Sequence, residues 1–151
     1  MTKRSGTRSA ANSTSRPPEP LVLFLDESLD SSSVASALSE AGATVERATS
    51  HFPRGTPDEE WLEKVGRLGW IVLTRDKRIR YRQLERFSLE AAGVRAFVFT
   101  GGNVTIKETA SILAGALGRI ARICQSETPP FIYHVGRSGK PIKVSLFVTL
   151  M

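Results

Sequence analysis

Strands that alternate with helices predict an α/β domain with a mainly parallel central sheet, arranged as three α/β/α layers and finished by a C-terminal hairpin. Three observations lead there. Short apolar runs such as Leu21 to Leu25 end abruptly on polar turn residues, as buried parallel strands do. Two capping-box patterns, Thr56/Glu59 and Thr105/Glu108, open amphipathic segments. Near the C-terminus, Phe131 to Val135 and Ile142 to Val148 alternate around Gly136 and Gly139, the mark of a hairpin or two edge strands.

The elements follow in order. Leu21 to Leu25 forms the first strand and stops at Asp26 and Glu27. Asp30 and Ser31 to Ser33 supply N-cap candidates for a helix with Val34, Ala37, Leu38 and Ala41 on one face, and Gly42 ends it. Thr44 to Ala48 reads as a short second strand, followed by a loop through His51, Pro53 and Gly55. Thr56 as N-cap, Pro57 at the first helical position and Glu59 three after the cap start a helix that turns Trp61, Leu62, Val65 and Leu68 inward. Trp70 to Leu73 is the third strand and Thr74-Arg75-Asp76 its exit. A basic helix is expected over about Arg78 to Ala91, and Val94 to Phe99 is the fourth strand. Gly101 and Gly102 turn the chain into a long helix with Ile106, Ala110, Leu113, Leu117 and Ile120 at helical spacing.

The chain of 151 residues has room for one domain, and its 40% hydrophobic and 24% charged residues suit a folded core. A net charge of +6 and a pI near 10.0 point to a polyanionic partner. No apolar run approaches the roughly 18 residues of a membrane span. The single cysteine, Cys124, excludes an internal disulfide and a Cys-rich zinc site, and a cytoplasmic location is expected. Half of the net charge lies in residues 1–20, where Lys3, Arg4, Arg8 and Arg16 face Glu19 alone. That segment has no Leu, Ile, Val or Phe, so a disordered basic tail over 1–20 and a folded domain over 21–151 are expected.

In an open parallel sheet, sites form beyond the carboxyl ends of the strands. Asp26 and Asp76 fall there. Asp58, three and four residues before Trp61 and Leu62, shares their inward face. Glu60 sits on the outer face, and Glu59 lies between. Acids after strands and in first helical turns also serve as turn formers and caps. Convergence of three carboxylates is more specific, because two unit charges about 4 Å apart repel by about 4 kcal/mol at an effective dielectric of about 20. A hard divalent cation such as Mg²⁺ or Mn²⁺ removes that cost, polarises a phosphodiester and acidifies a bound water. Six basic residues between Arg75 and Arg86, namely Arg75, Lys77, Arg78, Arg80, Arg82 and Arg86, adjoin Asp76 and could dock a phosphate backbone. Tyr81 among them could stack on a base.

These residues resemble a known family. Phe24-Leu25-Asp26-Glu27-Ser28-Leu29, a helix ending in Ala41-Gly42, Pro57-Asp58-Glu59-Glu60-Trp61-Leu62 and Val72-Leu73-Thr74-Arg75-Asp76-Lys77-Arg78-Ile79 are similar in order and spacing to the PIN-like domain ribonucleases, closest to the VapC-type toxin relatives. The resemblance covers about Leu21 to Val135. It implies a three-layer α/β/α fold, Mg²⁺- or Mn²⁺-dependent cleavage of RNA, and an antitoxin protein as partner. Carried over, Asp26, Asp58 and Asp76 are the catalytic, metal-binding acids, with Glu27, Glu59 and Glu60 as further candidates. Thr74 and Arg75 shape the third corner, and Arg75 or Lys77 contacts phosphate. Many relatives carry one more acid just after the third; here Lys77 and Arg78 follow, and the next acid is Glu85.

Two other readings compete. A PIN-like module that binds nucleic acid or protein without cleavage requires acids too far apart to share a metal. A phosphoacceptor receiver domain places acids after its first and third strands, a Thr after its fourth and a Lys-Pro after its fifth. Asp26-Glu27, Asp76, Thr100 and Lys140-Pro141 imitate that set, but Lys140 lies in the expected hairpin, forty residues beyond Thr100. Gly136-Arg137-Ser138-Gly139-Lys140 fails the phosphate-loop spacing and reads as a hairpin turn. Val104, Ile112 and Leu117 serve either a homodimer face or the core.

Overall fold

The computed structural model describes residues 21–77 and 93–145. Six strands form one sheet: β1 (Val22–Leu25), β2 (Thr44–Arg47), β3 (Ile71–Thr74), β4 (Arg95–Phe99), β5 (Phe131–Val135) and β6 (Pro141–Val144), in the order β2-β1-β3-β4-β5-β6. All neighbours are parallel except β5 and β6, which pair antiparallel from Ile132↔Val144 to Val135↔Pro141. The expected α/β class and terminal hairpin are what the chain adopts. The tail over 1–20, the basic stretch from Arg78 through Arg86 and residue Val148 lie outside the described residues.

Among the described residues the helices are α1 (Ser32–Glu40), α2 (Ala48–His51), α3 (Asp58–Arg67) and α4 (Ile106–Ser126). Strand residues alternate between two cores. Leu23, Leu25, Ile71, Leu73, Phe97 and Phe99 pack with Val34 and Leu38 of α1 and Leu113 and Ile120 of α4. Phe24, Val72, Ala96, Val98 and Ile132 face Trp61, Leu62 and Val65 of α3. This buries both faces of the sheet, so its strands read as unbroken apolar runs.

Capping follows local chemistry. Ser31 Oγ accepts the Val34 N–H at 3.1 Å and starts α1. Thr105 and Glu108 form the full reciprocal box that starts α4. Thr56, expected as the N-cap of α3, is not in that position. The Thr56 hydroxyl donates backward to the Pro53 carbonyl at 2.6 Å, which leaves Pro57 in the N-cap position with no side-chain cap. Gly42 follows α1 at φ +108°, a conformation open to glycine.

Other expectations shift. Ala48, read as strand, opens α2 instead, and Thr74, read as an exit, is the last residue of β3. Leu68 is 50% exposed because α3 ends at Arg67 and Leu68 leaves the inward stripe. Ile106 is 57% exposed, one turn ahead of the buried part of α4. Leu117 is buried in the core, and Val104 and Ile112 pack against it. Cys124 is half-buried against the same core, and burial pushes its thiol up to about 11, so it is not a ready nucleophile. Among the described residues, no helix is long and apolar enough to cross a membrane.

Candidate functional site

The connections define which edge carries chemistry. β1, β3, β4 and β5 are parallel, so Asp26, Arg75, Thr100 and Gly136 all follow carboxyl ends. α3 returns the chain to the amino end of β3, which places its first residue, Asp58, at the carboxyl edge.

Asp26 is the centre of that edge. It is 8% exposed, and its backbone N–H is tied to the Leu73 carbonyl at 3.2 Å, continuing the β1–β3 ladder. Its carboxylate accepts from two hydroxyls: Ser28 Oγ at 2.5 Å on Oδ1 and Thr74 Oγ1 at 2.5 Å on Oδ2. The Ser28 N–H adds a third bond at 3.0 Å. Ser28 Oγ also accepts the Arg75 N–H at 2.8 Å, and Thr74 Oγ1 accepts the Asp76 N–H at 3.0 Å. Thr74 itself is fully buried. Burial pushes the Asp26 carboxyl up to about 6; the bonds from Ser28 and Thr74 oppose this, and the charge of Asp58 adds to it.

The other acids are placed as follows. Asp58 is half-buried, and its Oδ1 accepts the Trp61 indole N–H at 2.9 Å, so the helical spacing that put both on one face is realised as a hydrogen bond. Asp76 is half-buried and reaches Asp26 through the Thr74 hydroxyl, by its backbone. Glu27 is exposed and accepts the Gly55 N–H at 3.0 Å, pinning the loop before α3. Glu60 is exposed on α3. Glu59 belongs to the first turn of α3, and its side chain lies outside what is described.

The charge of Asp58 thus reaches Asp26, and the Thr74 hydroxyl ties the Asp76 backbone to Asp26. The structure does not gather a three-carboxylate cage: among the described residues, no three His, Cys, Asp or Glu side chains stand close enough to hold one metal ion. Ser28 and Thr74 each bond one oxygen of Asp26, and the Trp61 indole bonds Asp58 Oδ1. The donor set still fits a hard cation in kind. Mg²⁺ is commonly held by one or two carboxylates with water and substrate phosphate completing its shell. A buried carboxylate raised by burial and by a second carboxylate is a place where a cation lowers the energy.

Of the expected nucleic-acid contacts, Arg75 and Lys77 are described; Arg78, Arg80 and Arg82 lie outside the described residues. Lys77 is exposed. Arg75 lies with its Cζ 5.2 Å from the Phe99 ring centre and donates from Nη2 to the Gly102 carbonyl at 3.1 Å. It lines a pocket of about 150 Å³ together with Ser28, Asp30, Val34, Ile106 and Thr109.

Sequence reasoning missed three residues here. Ser28 stands two residues after Asp26 with no local mark of a role, yet it joins Asp26 to Arg75. Asp30 was read as a cap, but its carboxylate holds Arg47 Nε and accepts from Thr49 N and Oγ1 at 3.1 and 2.8 Å. Burial would raise Asp30, and the bonds from Arg47 and Thr49 overcome it and hold the carboxyl below its ordinary value. Arg137 was read as hairpin turn, yet its Nε donates to the Gly101 carbonyl at 2.8 Å, beside Arg75. A basic residue two positions after a parallel strand was the available signal.

Comparisons with known proteins agree with this layout. Residues 21–101 match the family model described as PIN like domain. A protein of Mycobacterium tuberculosis (strain ATCC 25618 / H37Rv) named "Putative ribonuclease VapC45" is 27% identical over 117 residues, spanning 75% of this chain and 84% of that protein. No solved structure matches the chain. With more than half of its length matched by the family model, across β1, α3, β3 and β4 and with Asp26, Asp58 and Asp76 inside the match, the chain belongs to the PIN-like domain family.

Proposed function

We propose that the protein is a metal-dependent endoribonuclease that hydrolyses RNA phosphodiester bonds, and that it is the toxin of a toxin–antitoxin pair acting in the cytoplasm. The observation that carries the reading is the buried Asp26 carboxylate at the carboxyl edge of the sheet, gripped by two hydroxyls and acted on by a second carboxylate. Family membership and the ribonuclease name of the mycobacterial relative support it.

In this reading Asp26 and Asp58 would hold Mg²⁺ or Mn²⁺, with Asp76 as the third acid and Glu27 and Glu59 as further candidates. When bound, such an ion would supply polarisation of the phosphodiester and a lowered pKa of a bound water. The chain's own residues do the rest. Ser28 and Thr74 orient the Asp26 carboxylate and keep it ionised against its burial. Asp58 is steered by the Trp61 indole. Arg75, Lys77 and the basic stretch with Arg78, Arg80 and Arg82 dock the RNA backbone.

The test is an RNA-cleavage assay with Mn²⁺, with and without EDTA, on wild type, Asp26→Asn and Asp76→Asn. Cleavage that needs Mn²⁺ and falls by at least about 100-fold in either variant is expected, since positioned charge contributes factors of this order. Equal activity in all samples overturns the metal assignment. The absence of a three-acid cage among the described residues favours a second reading, a PIN-like module that binds without cleaving. RNA binding with no cleavage in any sample selects it. The toxin role is tested by co-expression with the small protein of a neighbouring reading frame, which should relieve growth arrest.

A further inference from the structure

Two arginines from distant parts of the chain meet on one dipeptide. Arg75, just after β3, donates to the Gly102 carbonyl at 3.1 Å, and Arg137, just after β5, donates to the Gly101 carbonyl at 2.8 Å. The turn is built for this. A Cβ on Gly101 would lie 2.2 Å from Phe99 Cζ, so only glycine lets the backbone close over that ring. Gly102 adopts φ +72°, and the position of a Cβ there is 4.0 Å from Arg137 Nη2. Phe99 supports the Arg75 guanidinium from beneath.

Each guanidinium has five donors, and one donor from each is spent on a carbonyl. Arg137 anchors through Nε and so keeps both terminal nitrogens for an outside acceptor. The hydrogen bonds of the α4 cap with Thr105 hold Glu108 below its ordinary value, and the charge of Arg137 adds to this. Two cations brought to one turn repel, and a phosphate between them removes that cost. The location suits RNA: the Arg75 N–H bonds Ser28 Oγ, which bonds Asp26.

We propose that Arg75 and Arg137 form a two-guanidinium subsite, carried by the Gly101–Gly102 turn, that holds one backbone phosphate of single-stranded RNA next to the phosphodiester that is cut. The inference rests on the ribonuclease reading and adds Arg137 to it. Phosphate contacts position a strand without reading its sequence, so the subsite sets the register of the RNA on the acids.

The test measures binding of a fluorescent single-stranded RNA to the full chain by anisotropy across a salt series, in EDTA and again in Ca²⁺. Arg137→Ala and Arg75→Ala should each lower the slope of log affinity against log salt by about 0.7, the value for one phosphate on a single strand, because the phosphate is held only when both guanidiniums bridge it. The double variant should lose the same 0.7 or so, because both residues hold one phosphate. Arg137→Lys, which keeps the charge, should keep the slope and bind more weakly. Arg67→Ala, at an exposed helical ion pair with Glu63, controls for net charge and should leave the slope unchanged. Arg137→Ala matching Arg67→Ala overturns the subsite and leaves the ribonuclease reading standing. A double variant that loses twice the single effect overturns the shared phosphate. A wild type that binds RNA in neither condition overturns the ribonuclease reading, and the subsite with it.

Discussion

Thr74 Oγ1 donates to Asp26 Oδ2 across 48 residues of sequence, and the same oxygen accepts the Asp76 N–H. One buried hydroxyl thus links the acids after β1 and β3. Ser28 Oγ gives its own proton to the other oxygen of Asp26. The 3.2 Å contact between the two hydroxyls is therefore a packing contact while Asp26 is ionised, since both protons already point at the carboxylate.

Thr74→Val tests this link. The swap keeps the shape, removes one donor from Asp26 and leaves the Asp76 N–H without its hydroxyl acceptor. A stability loss of about 2–4 kcal/mol by urea denaturation is expected, with cleavage falling in parallel. Thr74→Ser keeps the hydroxyl and should lose much less of either.

Asp26 makes stability depend on pH. Its folded value of about 6 lies above the ordinary 3.8, so the folded state binds the extra proton. The stability this contributes is fully present below the unfolded value and is lost as pH rises through about 6. At about pH 8 the ionised form is disfavoured by about 3 kcal/mol relative to the unfolded chain. Asp26→Asn should therefore melt higher than wild type near pH 8, with the difference closing as pH falls toward the unfolded value. Thermal melts across this range check the sign.

Trp61→Phe separates packing from steering. The ring stays in the α3 core beside Phe24, while the 2.9 Å bond to Asp58 is lost. A stability cost of about 1 kcal/mol is expected, with a several-fold fall in cleavage through a less ordered Asp58. Asp58→Asn should leave stability nearly unchanged and lower cleavage further.

Gly101→Ala places a methyl group inside the Phe99 ring's space. Thermal melts should show a loss of about 1–3 kcal/mol, the usual range for overpacking. Arg75 rests on that ring, so weaker RNA binding should accompany the loss.

Local chemistry was legible in the sequence; the joints between distant segments were not. Leu21 to Leu25 reads as a buried strand from its composition, and Thr105/Glu108 reads as a cap because both partners lie within one turn. Pro57 rather than Thr56 takes the N-cap of α3, and the Thr56 hydroxyl donates to the Pro53 carbonyl instead. α2 is four residues long, too short for periodicity, and Asp30 secures its start from another segment. Asp26, Asp58 and Asp76 were marked by position after strands and at a helix start. The hydroxyl pair of Ser28 and Thr74, 46 residues apart, and the approach of Arg137 to Gly101 across 36 residues depend on strand order and register, which no local pattern carries.

The proposed function stands on a cation site at the carboxyl edge of the sheet, centred on Asp26. Calorimetric titration of the full chain with Mn²⁺ in the absence of RNA tests it most directly. Saturable binding by wild type that is lost in Asp26→Asn is the predicted result. Identical titration curves for the two proteins would rule that site out.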